Sequence, residues 1–440
     1  MGKSMMIQGT MANVGKSTLI AGLSRAFCQD GYKVAPFCPK SMALRTFITN
    51  DGKEISKMQA LQAEAARIQP ESVMNPILFK AVNSSEMQVV VKGEVYGQMP
   101  VSEYAKQRKY MEDAILSSYG ELSKKYDIVI MEGAGSPVEF ILDGEDMANA
   151  GIAKRTKTPV LLMGDMDRGG AMAQLLGTAG LFDEEAKKCL KGFLLNKFRG
   201  DRKSLLTMIR LTEQKGQVPV LGIFPYLYSS IDDIEEFNGQ YEKENSNPVV
   251  DITVIHFPHI ESYVEFNPLE CVEEVSLHYA ASLSEVGDPD FLILPHSTDP
   301  VADLLWMRRN GLETRIMQHV FRDKPVLGIC SGCQMLGEEL IGTDGTQIHG
   351  MGFLTDASET ENNEKREENV YGTKEKGVFS HEEILKRIVR SILKEKGLNS
   401  SRMEHFTLAQ YRENQYDRLA DVVRECLNLE QIYEMIQKGI

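Results

Sequence analysis

The chain has 440 residues, with 63 acidic against 49 basic side chains and a formal net charge of −14. That balance argues against a general binder of nucleic acid or anionic membranes, which needs clustered positive charge. Hydrophobic residues make up 42% and charged residues 25%, a folded globular composition, and at roughly 150 residues per domain the length predicts two or three domains.

No apolar run reaches the roughly 18 residues that a membrane span needs. The N-terminus turns glycine-rich too soon for a signal peptide. Seven cysteines without a disulfide-like spacing point to a reducing, cytoplasmic setting. Cys330 and Cys333 read as Cys-x-x-Cys, but no second pair or His cluster follows at zinc spacing.

Short apolar, β-rich runs alternate with longer helical patterns. Strands are predicted at residues 4–8, 33–37, 87–91, 127–132, 159–165, 191–196 and 218–224, with helices at 16–30, 53–68 and 101–125. Continuous apolar strands separated by helices predict an α/β fold with a parallel sheet covered on both faces. Residues 231–247, rich in Asp, Glu, Asn and Gly, read as a linker ending before Pro248. The rhythm resumes with strands at 251–257, 290–295 and 325–329. Residues 355–368 form an acidic run without a large apolar side chain and read as a loop, and helices are predicted at 382–396 and 410–438.

The loop after the first strand reads Ile7-Gln8-Gly9-Thr10-Met11-Ala12-Asn13-Val14-Gly15-Lys16-Ser17-Thr18. Between a strand and a helix, backbone N–H groups and the helix N-terminus face an anion. Gly9, Thr10, Asn13, Gly15 and Lys16 are therefore candidate phosphate ligands, and Ser17 or Thr18 offers a hydroxyl to Mg²⁺. Strict Walker A spacing would put glycine where Thr10 stands; Gly9 lies one residue earlier. The alternative is an ordinary glycine-rich turn. Glu132 ends a predicted strand and is placed to hold Mg²⁺, with Asp51 as a second candidate carboxylate. Against both stands the commoner role of a single acidic residue, capping or solvated.

Together these loops resemble the cobyric acid synthases, glutamine-dependent amidoligases of cobalamin biosynthesis. The resemblance runs through residues 6–17, 35–44, 47–51, 62–66, 75–78, 132–137, 164–170 and 196–201, then 303–311, 328–337 and 416–427. It implies a P-loop, dethiobiotin-synthetase-like parallel-sheet domain over residues 1–232 and an acidic linker over 233–250. A class I glutamine amidotransferase-like α/β domain would follow over 251–440, missing part of its sheet. It implies ATP and Mg²⁺ as cofactors and a corrinoid substrate, adenosylcobyrinic acid a,c-diamide. ATP would phosphorylate peripheral carboxylates, and ammonia, from glutamine or from solution, would displace the phosphate. Asn196 and Lys197 would lie near the nucleotide base, and Arg168 would pair with a substrate carboxylate or a phosphate.

The chain also departs from the family pattern. Cys38 stands where the family has a lysine after Pro36-Phe37, and Lys40 is the candidate to supply that charge to the substrate. Residues 81–88 replace a family run of Pro and polar residues. In the second half, Cys330 holds the nucleophile position of a strand–turn–helix elbow, Gly328-Ile329-Cys330-Ser331-Gly332. Lys376 stands at the family's histidine position, and His381 follows five residues later. His296 replaces an oxyanion-hole glycine, and the segment between Phe353 and Tyr371 is shortened. These changes predict an impaired glutaminase. Two other readings stand beside the amidoligase. One is a nucleotide-dependent regulatory or scaffold protein, against which Met11 occupies the place of the signature lysine of ParA- and MinD-type switches. The other is an inactive family remnant.

Overall fold

The computed structural model describes residues 2–43, 46–82, 86–100, 107–138, 146–226, 248–342, 345–354, 365–367, 369–399 and 401–440. Two compact units emerge: Met1–Leu227 with Glu413–Ile440, and Tyr228–Arg412. The expected linker over 233–250 lies almost wholly outside the described residues. Among the described residues, no helix is long and apolar enough to cross a membrane.

The first unit is built on a six-stranded sheet. Its order is Val220–Pro225, Leu190–Phe198, Val160–Asp165, Lys3–Gly9, Ile128–Glu132 and Val34–Phe37, with every neighbouring pair parallel. Alternation along the first strand sends Met6 into one buried cluster and Met5 and Ile7 into another, so both faces are covered and the strand reads as one apolar run. Helices Arg108–Lys125 and Ala171–Leu181 cover one face through Ile115, Leu122 and Leu175. Helix Lys16–Gln29 covers the other through Leu19, Ile20, Leu23 and Phe27.

That second face also buries the end of the chain. Helices Leu408–Cys426 and Leu429–Lys438 contribute Ala420, Val423, Ile432 and Ile436 to the same cluster. The expectation of one domain over 251–440 is thus corrected: Glu413–Ile440 belongs to the first unit. Helical periodicity reveals that a helix has an apolar face, not which sheet buries it. The docking is charge-matched too. Arg25, fully buried, donates from Nε to Asp417 at 2.7 Å and pairs with Glu413. Arg25→Ala removes a buried, paired side chain and should lower unfolding stability by about 3 kcal/mol. An unchanged urea midpoint would show that this clamp contributes nothing.

Residues 87–91 do form a strand, Glu86–Val91, but not in the parallel sheet. It pairs antiparallel with Ile77–Ala81 and Glu94–Pro100 in a separate four-stranded sheet that also holds Lys40–Met42. The turn explains why: Lys92 and Gly93, both at positive φ, make a two-residue hairpin, and a parallel crossover needs a dozen residues or more. The helix expected at 53–68 is shorter, Lys57–Ala65. Glu54–Ser56 pairs first with Thr46–Ile48, and the Ser56 hydroxyl caps the helix by accepting the Gln59 N–H.

The second unit holds another six-stranded sheet, ordered Val275–Ala280, Val250–Ile255, Phe291–Leu294, Val326–Ile329, Val370–Thr373 and Lys365–Glu367. Its first five strands are parallel and the last is antiparallel. Lys365–Glu367 lies in the run read as a loop; residues 355–364 and 368 are outside the described residues. Val275–Ala280 escapes the sequence pattern because, as a half-buried edge strand, it carries Ser276 and His278.

His319, on helix Leu312–Val320, is buried, with the Pro325 carbonyl as partner for Nε2 at 3.2 Å. Burial, aided by Lys324 and Arg315, brings its pKa down to about 4. An unfolded histidine titrates near 6.5, so the unfolded chain takes up the proton first. Stability should fall by about 2 kcal/mol between pH 7 and pH 5. Urea titrations of wild type and His319→Gln check this: the variant should lose that part of the slope.

Candidate functional site

The first strand ends at Gly9, and helix Lys16–Gln29 opens at Lys16 with Gly15 as its N-cap. Asn13 (φ 59°) and Gly15 (φ 94°) are both left-handed, which curls the loop at the helix N-terminus, where backbone N–H groups suit an anion. A Cβ on Gly15 would lie 2.2 Å from Asn196 Nδ2, so only glycine fits. A Cβ on Gly9 would lie 2.6 Å from Val14 and 3.1 Å from Lys16 Nζ. The Lys16 side chain therefore folds back over the start of the loop, and the residue is 7% exposed rather than projecting from the surface.

The end of strand Leu190–Phe198 braces this loop. Asn196 Nδ2 donates to the Val14 carbonyl at 2.7 Å, and Lys197 Nζ to the Asn13 carbonyl at 2.7 Å. Lys197 also pairs with the buried Asp165 at 3.0 Å. The Thr10 hydroxyl donates to Gln174 at 3.0 Å. Thr18 is half-buried in the first helical turn.

Ser17 and Glu132 meet directly: the hydroxyl donates to Glu132 Oε1 at 2.5 Å. Gln62 Nε2 donates to the other carboxylate oxygen at 2.6 Å and to the Ser17 carbonyl at 3.3 Å. A hydroxyl and a carboxylate side by side at a phosphate loop are hard oxygen ligands that fit Mg²⁺, which needs few protein ligands beside phosphates and water. No group of three His, Cys, Asp or Glu side chains that could hold a metal occurs among the described residues. Asp51 does not join this pair. It sits on the hairpin turn, 59% exposed, with its carboxylate accepting from the Thr49 hydroxyl and facing Lys53 at 4.0 Å.

Arg168 is exposed on the turn after Asp165, its backbone N–H directed to the Asp165 carboxylate at 3.4 Å. Lys40 lies over the Phe79 ring, 5.6 Å from its centroid. Burial lowers the Lys40 pKa while Asp146 opposes the shift, and burial raises that of Asp146. Cys38, where the family lysine would stand, is buried, with its thiol 3.5 Å from the Lys40 carbonyl.

In the second unit, Cys330 joins strand Val326–Ile329 to helix Ser331–Leu336 with φ 50° and ψ −109°, the strained backbone of a nucleophile elbow. A Cβ on Gly332 would lie 2.1 Å from the Leu294 carbonyl, so the elbow needs glycine there. The thiol donates to the Lys374 carbonyl at 3.2 Å. No histidine hydrogen-bonds it among the described residues. Burial pushes the thiol pKa up, and Glu265 adds to this, against the pull of Lys376.

Lys376 is held by Glu261 at 2.6 Å, which raises its pKa. His381 turns to Glu375 at 2.8 Å. His296 places Nδ1 2.9 Å from the Ser331 hydroxyl and 3.5 Å from the Ser331 N–H, with Nε2 3.6 Å from Glu261. Glu261 and Glu265 carried no sequence signal. Gln62 lies inside a matched segment without an assigned role.

The class is now defined: a P-loop nucleotide-binding unit joined to an amidotransferase-like unit with a cysteine elbow. A family model described as an AAA domain matches residues 3–232, and one described as a CobB/CobQ-like glutamine amidotransferase domain matches 251–387. The cobyric acid synthase of Ruminiclostridium cellulolyticum is 40% identical, with 100% of this chain and 98% of the relative covered. That of Lachnoclostridium phytofermentans is 38% identical, with both chains covered completely. The chain belongs to the cobyric acid synthase family. The first of these alignments spans 505 positions against 440 residues here, so the relative has segments this chain lacks. Among solved structures, the signal recognition particle receptor FtsY from Elizabethkingia anophelis in complex with GDP is 17% identical, covering 51% of this chain and 57% of that one, at a TM-score of 0.31.

Proposed function

We propose that this chain amidates peripheral carboxylates of adenosylcobyrinic acid a,c-diamide with ATP, taking ammonia directly rather than from glutamine. The observation that carries the first part is the Ser17–Glu132 hydrogen bond beside the Lys16 loop. The loop N–H groups and Lys16 would receive the phosphates of ATP. Ser17 and Glu132 would hold Mg²⁺, which when bound supplies charge neutralisation at the phosphates. Asn196 and Lys197 would face the nucleotide base. Lys40 and Arg168 would meet the substrate carboxylate, which attacks the γ-phosphorus to give an acyl phosphate as ADP leaves with the electron pair of the P–O bond. Ammonia then adds to the acyl carbon and loses a proton to solvent, and inorganic phosphate leaves with the C–O electron pair.

The second part rests on Cys330, whose thiol turns to the Lys374 carbonyl, has no histidine partner among the described residues and has a raised pKa. The setting is the cytoplasm, consistent with seven cysteines and no disulfide among them. The test is incubation with ATP, Mg²⁺ and the corrinoid, with ammonium or with glutamine. Ammonium should give amides, ADP and phosphate, and glutamine none. Absence of turnover with both donors would refute the amidoligase reading.

A further inference from the structure

Gln62 lies fully buried on helix Lys57–Ala65. Its amide nitrogen donates to two acceptors, Glu132 Oε2 and the Ser17 carbonyl. That fixes the orientation of the amide, since only the nitrogen end can donate. Oε1 is therefore the end that turns away, and it is buried without a donor among the described residues.

Asn149 repeats the pattern next to the residue that follows Glu132. It is fully buried, and its nitrogen donates to the Ala134 carbonyl at 2.8 Å. Its Oδ1 has no donor among the described residues and lies 2.2 Å from where a Cβ on Gly133 would stand. Two buried carbonyl oxygens beside the Glu132–Gly133 corner thus call for hydrogen-bond donors.

We propose that Gln62 is a positioning residue of the metal site: its amide nitrogen clamps Glu132 beside Ser17. This rests on the Mg²⁺-ATP reading above. Outer partners of this kind commonly set metal affinity by about 10–100-fold. A residue that only packed the helix would act on folding and on nucleotide binding alike.

The test uses the full chain with Mn²⁺ as the probe, titrated by electron paramagnetic resonance in the presence of a non-hydrolysable ATP analogue. Gln62→Met, close in size and without hydrogen-bonding groups, should weaken Mn²⁺ binding by about 10–100-fold. Binding of the same analogue in EDTA should stay within about twofold, because the loop and Lys16 are untouched. Wild-type Mn²⁺ affinity, or an equal loss in EDTA, overturns the proposal. If Gln62→Met does not fold, Gln62→Asn withdraws the amide by one methylene and should weaken Mn²⁺ in the same direction. Glu132→Gln separates the two readings. If it loses Mn²⁺ while Gln62→Met does not, only the role of Gln62 falls. If Glu132→Gln binds Mn²⁺ as wild type does, the metal reading falls with it.

Discussion

Lys16→Ala is expected to weaken ATP binding by at least about 100-fold while the first unit stays folded. One buried, preorganised cation on a phosphate is worth roughly 3 kcal/mol, because nothing in the site reorganises to replace it. Lys16 is 7% exposed and folded over Gly9, so its charge is already inside the loop when the nucleotide arrives. Its loss removes no apolar contact from the clusters on either face of the sheet. The unfolding midpoint should therefore hold while affinity, measured by calorimetry, collapses. Unchanged ATP affinity in a folded variant would remove the phosphate loop from this reading. Loss of both together would show that the lysine is structural.

What was legible in the sequence follows from how far apart the interacting residues lie. Strands such as Lys3–Gly9 and Val160–Asp165 are buried on both faces and so appear as uninterrupted apolar runs. The phosphate loop is local, with its glycines, lysine and serine within ten residues of one another. Contacts between distant segments left no such trace. Gln62 reaches Glu132 across 70 positions, and Arg25 reaches Asp417 across 392. Neither pairing has a sequence period. Asp51 shows the opposite failure. It sits in a matched segment, but a hydroxyl and a lysine on its own turn take its carboxylate. Residues 87–91 had the composition of a parallel strand, and only the two-residue turn after them decided the sheet they joined.

Glutamine is expected to release no ammonia above background, at least about 10⁴-fold below a working thiol-dependent amidotransferase, and Cys330→Ser is expected to change nothing. Three features combine. The thiol lacks a base among the described residues: the Lys376 ammonium is kept protonated by Glu261, and His381 is turned to Glu375. The thiol is also held in its neutral form, since burial and Glu265 raise its pKa, whereas a nucleophilic cysteine needs the thiolate. The third feature is His296. An elbow stabilises the oxyanion with the backbone N–H of the residue after the nucleophile, here Ser331. That N–H is directed at His296 Nδ1 at 3.5 Å, and the imidazole is fixed there by the Ser331 hydroxyl at 2.9 Å. Burial and the Lys376 cation lower the His296 pKa, so the ring stays neutral and keeps a lone pair on one nitrogen. His296→Gly alone should not restore hydrolysis, because the base is still missing. Alkylation of Cys330 by iodoacetamide gives an independent check. With the thiol pKa raised, the rate should be slow at neutral pH and still climbing above pH 9, where an activated cysteine would have reached its plateau. Ammonia release that disappears in Cys330→Ser, or an alkylation plateau below pH 7, would mean that the site works through a base this geometry does not supply.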